Sequence, residues 1–119
     1  MEGKSTVWGL FNNATDTRKV SAGTVIFTEG DPGAEMFGIV DGGVELRGTG
    51  GLLQRLGPRE VFGEMALVDD SPRSATAVAV SETTLATVDR HRFLFLVQET
   101  PMFALEVMSV MADRLRQRT

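Results

Sequence analysis

The 119-residue chain has no cysteine. Disulfides, thiolate nucleophiles, zinc–thiolate sites and cysteine-ligated iron–sulfur clusters are therefore excluded. A single histidine, His91, excludes an imidazole metal cluster within one chain, so no metal ligand, cofactor or catalytic residue is assigned. No apolar run approaches the length that spans a bilayer, and the opening Met-Glu-Gly-Lys-Ser-Thr carries no signal-peptide core. The expectation is a cytoplasmic chain, or the cytoplasmic part of something larger, without membrane contact of its own. Basic charge is scarce too. Twelve Lys and Arg against 16 Asp and Glu give a net charge of −4, which argues against nucleic-acid binding by this chain alone. The trio Arg114, Arg116 and Arg118 reads as a solvated last helical turn that complements the helix dipole.

What the chain does have is 42% hydrophobic residues and 13 glycines. This suits one domain with one core and many tight turns. Val7, Trp8, Leu10 and Phe11 suggest an amphipathic segment near the N-terminus, weakened as a helix by Gly9, with Trp8 as its hydrophobic anchor. From Val20 the texture becomes short strands and turns. Thr24–Thr28, Met36–Val40, Val44–Arg47, Leu52–Leu56, Ser74–Val80 and Thr84–Val88 read as strands. Glu29-Gly30-Asp31-Pro32-Gly33, Asp41-Gly42, Gly48–Gly51 and Gly57-Pro58 read as turns between them. Such spacing indicates a sandwich, roll or barrel. Ser74–Val80 places Ala75, Ala77 and Ala79 on one face, open to close approach by a ligand, a sheet or a helix.

The C-terminal part is helical. Asp89 caps a helix over Arg90–Gln98. Thr100-Pro101 starts a second helix, which runs to Arg118. Ala104, Met108, Met111 and Leu115 fall on a seam with coiled-coil spacing, and Phe103, Val107 and Val110 widen the apolar arc. The pattern fits both a helix packed on the β-structure and a homodimer seam, and the extra width suggests a partner chain or the mouth of a pocket.

Chemistry concentrates in Phe62–Ala75, F-G-E-M-A-L-V-D-D-S-P-R-S-A. Gly63 lets backbone approach a ligand closely. The amides of Glu64, Met65 and Ala66 open a helical turn and suit an anion. Arg73 brings a planar fork for two phosphate oxygens. Glu64 would repel a phosphate, so beside one it must face a donor, and a sugar hydroxyl is the natural choice. The stretch describes a pocket for one phosphate on one hydroxyl-bearing sugar.

Phe62-Gly63-Glu64-Met65-Ala66-Leu67 and Pro72-Arg73-Ser74-Ala75-Thr76 closely resemble the phosphate-binding cassette of the cyclic-nucleotide-binding domain family, and the likeness extends from about Val20 to the C-terminal helix. It implies a mainly β fold: an eight-stranded antiparallel β-roll of jelly-roll type with an N-terminal helix and two C-terminal helices. The implied division of the single domain, 1–119, is a helical segment over 1–18, the roll over 19–88 with its cassette at 62–75, and helices over 89–119. By resemblance, Arg73 neutralises the cyclic phosphate and Glu64 accepts from the ribose 2′-hydroxyl. Gly63, Met65 and Ala66 supply close backbone and amides, and Ser74 and Ala75 add a hydroxyl and an amide. Serine at 74 fits cyclic AMP and cyclic GMP alike, with cyclic AMP preferred.

A side chain from the last helix is expected over the base. Arg114 is chosen above Leu115 because a guanidinium stacks well on a flat ring. The implied function is a cytoplasmic sensor that shifts its C-terminal helices about a hinge near Gln98–Pro101, not an enzyme. The alternative is the same fold with an unused pocket, serving protein interaction or dimerisation.

Overall fold

The computed structural model describes residues 16–69 and 71–118. The expected N-terminal helix and the anchoring role of Trp8 lie outside them.

The described residues form eight strands in two four-stranded sheets. One contains β1 (Asp16–Val20), β8 (Thr83–Asp89), β3 (Glu35–Asp41) and β6 (Val61–Phe62), in that spatial order. The other contains β2 (Val25–Phe27), β7 (Thr76–Ala79), β4 (Val44–Gly48) and β5 (Gly51–Leu56), also in order. All pairings are antiparallel, so the chain adopts the β-roll expected of it. The described residues also form three helices: α1 (Met65–Asp69) between β6 and β7, inside the cassette, and, after β8, α2 (Arg90–Glu99) and α3 (Met102–Arg118).

The two-residue alternation of β3 and β8 divides the core. Phe37, Ile39 and Leu85 point between the sheets, where Val44, Leu46, Leu56, Phe62, Ala75 and Ala77 meet them. Met36, Ala86 and Val88 point the other way, onto Leu67, Leu96, Phe103 and Val107 of the helices. The first sheet is thus covered on both faces, while β4 keeps the wet face its alternation indicates, with Val44 and Leu46 buried and Arg47 exposed. The alanine face of Ser74–Val80 is the inward one, and Ala75, Ala77 and Ala79 are buried.

Two strands differ from the sequence reading. β1 pairs with β8 from Asp16↔Thr87 onward, so it takes in residues 16–18, which the expected division gave to the helical segment. Its sequence, DTRKV, is largely exposed and carries little of the apolar signal that marks a strand. β6 is only two residues long, and its register, Phe37↔Phe62 and Gly38↔Val61, brings the cassette beside the start of β3.

The carboxylate of Asp89 accepts from the Arg92 amide at 2.8 Å and so caps α2. At the next junction the Phe103 amide donates to the Thr100 carbonyl at 2.9 Å, where α3 begins. α3 lies on the core through Phe103 and Val107, with Val110 and Met111 beside them. Burying each of the first two stabilises by about 1.5–3 kcal/mol. Met108 and Leu115, two members of the coiled-coil seam, are exposed in the single chain, at 56% and 66%. The stripe one residue ahead carries the larger Phe103, and that side chain fills the space between α2 and the first sheet, edge-on to Phe93 at 5.5 Å.

Candidate functional site

Between the cassette and the last turns of α3 lies a cavity of about 290 Å³. All eight residues expected at a site line it: Gly63, Glu64, Met65, Ala66, Arg73, Ser74, Ala75 and Arg114. Phe27 from β2, Leu46 from β4, Ser71, Pro72, Met111 and Leu115 complete the wall.

Arg73 forms the inner end and is only 8% exposed. Its backbone is fixed to the β2–β3 turn, since its amide donates to the Asp31 carbonyl and its carbonyl accepts from the Gly30 amide, both at 2.8 Å. Its side chain is fixed as well. Nη1 donates to the Gly63 carbonyl at 3.1 Å and Nη2 to the Glu35 carbonyl at 2.8 Å. The guanidinium carbon sits 4.1 Å from the centre of the Phe27 ring, a cation–π contact of about 1–2 kcal/mol when desolvated. Phe27 belongs to a ring cluster with Phe37 and Phe62, with centroids 5.3–5.9 Å apart. Burial lowers the Arg73 pKa from its ordinary value, and the charges of Glu35, Asp31 and Glu64 oppose that shift. The group remains a cation, because arginine does not deprotonate in proteins. Nε is buried without a hydrogen-bond partner.

Gly63 has φ 80°, and a Cβ there would lie 2.9 Å from Arg73 Nη1. Both the left-handed backbone and the close guanidinium require glycine at this position. α1 then begins at Met65 and buries Ala66 and Leu67. Ser74 is exposed at the cavity wall and Ala75 is buried.

Glu64 is 4% exposed, and its carboxylate does not meet Arg73 in a hydrogen bond. Its partner is Arg114 of α3, whose Nη1 donates to Oε1 at 2.6 Å. Arg114 Nη2 also donates to the Val61 carbonyl. The guanidinium expected over a base is therefore engaged with Glu64 and β6, and Met111 and Leu115 are the apolar side chains that α3 offers to the cavity. The sequence reading missed Phe27 and Leu46 as wall residues, and it left Met111 on a helix face open to a partner chain or a pocket mouth. It also missed the carbonyl of Glu35. Phe27 and Glu35 flank the Gly30–Gly33 turn, but only the folded register brings them to Arg73.

The arrangement places a fixed buried cation and a fixed buried carboxylate on one concave surface, with an apolar wall between sheets and helix. It suits a small anion carrying a hydrogen-bond donor and a flat apolar part. Among the described residues no cluster of three or more Asp, Glu or His side chains is placed to hold a metal, and no helix is long and apolar enough to cross a membrane.

Comparison with known proteins bears on the fold and its family. The cyclic nucleotide-binding domain model matches residues 17–100. The cyclic AMP receptor protein of Thermus thermophilus is 41% identical over 100 residues, covering 80% of this chain and 46% of that protein. The chain thus spans less than half of that relative's length. The crystal structure of the Thermus thermophilus catabolite activator protein matches with a TM-score of 0.82 at 34% identity, covering 98% of this chain and 55% of that one. A structure described under a cyclic-GMP-dependent signalling pathway of bacterial phytopathogenesis matches with a TM-score of 0.75 at 32% identity, covering 99% and 90% of the two chains. In sequence pattern and in fold, the chain belongs to the cyclic nucleotide-binding domain family.

Proposed function

We propose that the cavity binds a cyclic purine nucleotide, cyclic AMP first and cyclic GMP with weak discrimination, and that the chain acts as a regulatory sensor. The observation that carries this reading is the pair of buried, opposite charges on one cavity, Arg73 and Glu64, each held by its own partners and not by the other. Arg73 takes the cyclic phosphate, with the backbone of Gly63, Met65, Ala66 and Ala75 and the hydroxyl of Ser74 around it. Glu64 takes the ribose 2′-hydroxyl, and Arg114 holds Glu64 for that purpose. Met111 and Leu115 cover the base. The names of the two relatives, one for cyclic AMP and one for a cyclic-GMP pathway, support the ligand class.

The proposed output is a population shift. A ligand moves an equilibrium only by binding one arrangement better than the other, and here α3 supplies cavity wall through Met111, Arg114 and Leu115. Nucleotide in the cavity therefore acts directly on α3, with Gln98–Pro101 as the hinge. The exposed side chains Met102, Leu105 and Met108 support a second role for α3 as a homodimer seam, which sedimentation of the chain with and without nucleotide tests.

Thermal unfolding with cyclic AMP, cyclic GMP and 5′-AMP tests the binding reading. A true site stabilises by about 2.7 kcal/mol at a hundredfold excess over the dissociation constant. Arg73→Ala removes the shift, its own ligand-free melting temperature serving as baseline. A melting temperature indifferent to all three nucleotides favours an unused pocket and an interaction module, and conversion of cyclic AMP to 5′-AMP favours an enzyme.

A further inference from the structure

Gly33 closes the turn Glu29-Gly30-Asp31-Pro32-Gly33, and turn chemistry alone accounts for glycine at Gly30, where φ is 91°. It does not account for Gly33, whose backbone lies outside the left-handed region. Alanine could adopt that backbone without strain. What forbids a side chain there is Arg73. A Cβ on Gly33 would lie 2.4 Å from Arg73 Nε, 2.5 Å from its Cζ and 3.0 Å from the Cβ of Ala66.

A clash with the end of a long side chain is ordinarily relieved by moving that end. Here it is pinned. Nη1 and Nη2 are bonded to the Gly63 and Glu35 carbonyls, Cζ is stacked on Phe27, and the Arg73 backbone is bonded to Gly30 and Asp31 of the same turn. A methyl at position 33 must break one of these contacts. The contact it meets first is Nε, the one guanidinium nitrogen without a hydrogen-bond partner.

We infer that Gly33 is a positioning residue for the phosphate-binding guanidinium: the bare Cα sets the depth at which Arg73 lies and so the place where its N–H groups meet an anion. This rests on the cyclic-nucleotide reading of the cavity and names a determinant of phosphate affinity that lies outside both the cassette and the cavity wall. Gly33 acts through Arg73 and does not itself touch the nucleotide.

The test combines cyclic AMP affinity by calorimetry with a double-mutant cycle read as melting temperature. Gly33→Ala weakens binding by roughly 10- to 100-fold, the scale on which misplacing a group by an ångström acts, and lowers the melting temperature. In an Arg73→Ala background, where Nε and Cζ of the guanidinium are gone, adding Gly33→Ala lowers the melting temperature no further. If Gly33→Ala alone fails to fold, the double variant folds, because the obstructing atoms have been removed. Equal loss of melting temperature or of folding in both backgrounds overturns the inference, since position 33 then acts through the roll and not through Arg73. A parent chain that binds cyclic AMP while Gly33→Ala binds it equally well overturns the inference alone. A parent that binds neither cyclic AMP nor cyclic GMP overturns the nucleotide reading, and the inference with it.

Discussion

Arg114 and Glu64, 50 residues apart in the chain, are joined at 2.6 Å by a charge-assisted hydrogen bond. The carboxylate lies in the cassette and the guanidinium in the penultimate turn of α3. Both side chains are largely out of water, 5% and 14% exposed. The bond fixes the end of the helix to one end of the cavity, while Arg73 is fixed independently at the other.

Removing Arg114 leaves a buried carboxylate without its partner, and an uncompensated buried charge is costly. Because Arg114 retains some solvent contact, Arg114→Ala is expected to destabilise the chain by roughly 1–3 kcal/mol. Glu64→Gln added to Arg114→Ala recovers part of that loss, since the stranded charge is gone. Chemical denaturation of the four members of this cycle measures it. Additive losses would mean that the pair contributes no mutual stabilisation.

If Glu64 accepts from a ribose hydroxyl, the ligand's sugar decides affinity. A hydrogen bond to a charged group contributes roughly 1.5–3 kcal/mol, so 2′-deoxy cyclic AMP is expected to bind roughly 10- to 100-fold more weakly than cyclic AMP. In Glu64→Ala that ratio falls toward one. A ratio unchanged in the variant would remove Glu64 from sugar recognition while leaving the role of Arg73 intact.

The cassette was legible because its chemistry is local. Gly63, Glu64, Arg73 and Ser74 fall within one short stretch, and one strand–turn–helix passage suffices to bring them together. The strands that showed were those with apolar alternation, such as Val44–Gly48. β1 was hidden because an edge strand with a wet surface has little alternation to display, and β6 because two residues have no period. The choice of buried stripe on α3 was hidden for a different reason. Phe103, Val107 and Val110 run beside Ala104, Met108 and Met111, and helical periodicity is satisfied by either stripe; the space left by Met36, Val88 and Leu96 decides between them. The role of Arg114 was misread because its partner comes from the other end of the fold. A basic residue near a helix C-terminus has a sufficient local explanation, and only the tertiary contact shows the carboxylate it serves.

Glu45 offers a test by pH away from the cavity. Its carboxylate accepts from Arg47 Nη2 at 2.7 Å and from Arg55 Nε at 3.1 Å, and hydrogen bonds from Arg47 and then Arg55 hold its pKa below the ordinary 4.5. A carboxyl lowered in the folded state favours folding above its unfolded value, and that contribution disappears as the pH falls through the folded value. Glu45→Gln should therefore melt slightly below the parent at neutral pH, the effect being small for a surface pair. The two melting temperatures should converge as the pH falls through the folded value. A gap of constant size across that range would assign the difference to packing and not to charge.

The proposed output depends on where α3 is anchored. Its first half is held by Phe103 and Val107, buried against Met36, Val61 and Val88. Its last turns are held by Arg114 on Glu64 and Val61, and by the cavity-facing Met111 and Leu115. On the proposed reading these two anchorages respond differently to a nucleotide, because the first lies behind the sheet and the second is part of the cavity wall. Hydrogen exchange of α2 and α3 with and without cyclic AMP is expected to change most in the turns that carry Met111 to Leu115 and at the proposed hinge near Thr100. Local opening there is measured against a core that opens only with the whole domain. Arg73→Ala should abolish the change, since nucleotide no longer occupies the cavity. Protection that is identical along α3 in both states, in a chain shown by calorimetry to bind, would leave a binding domain whose signal does not travel through this helix.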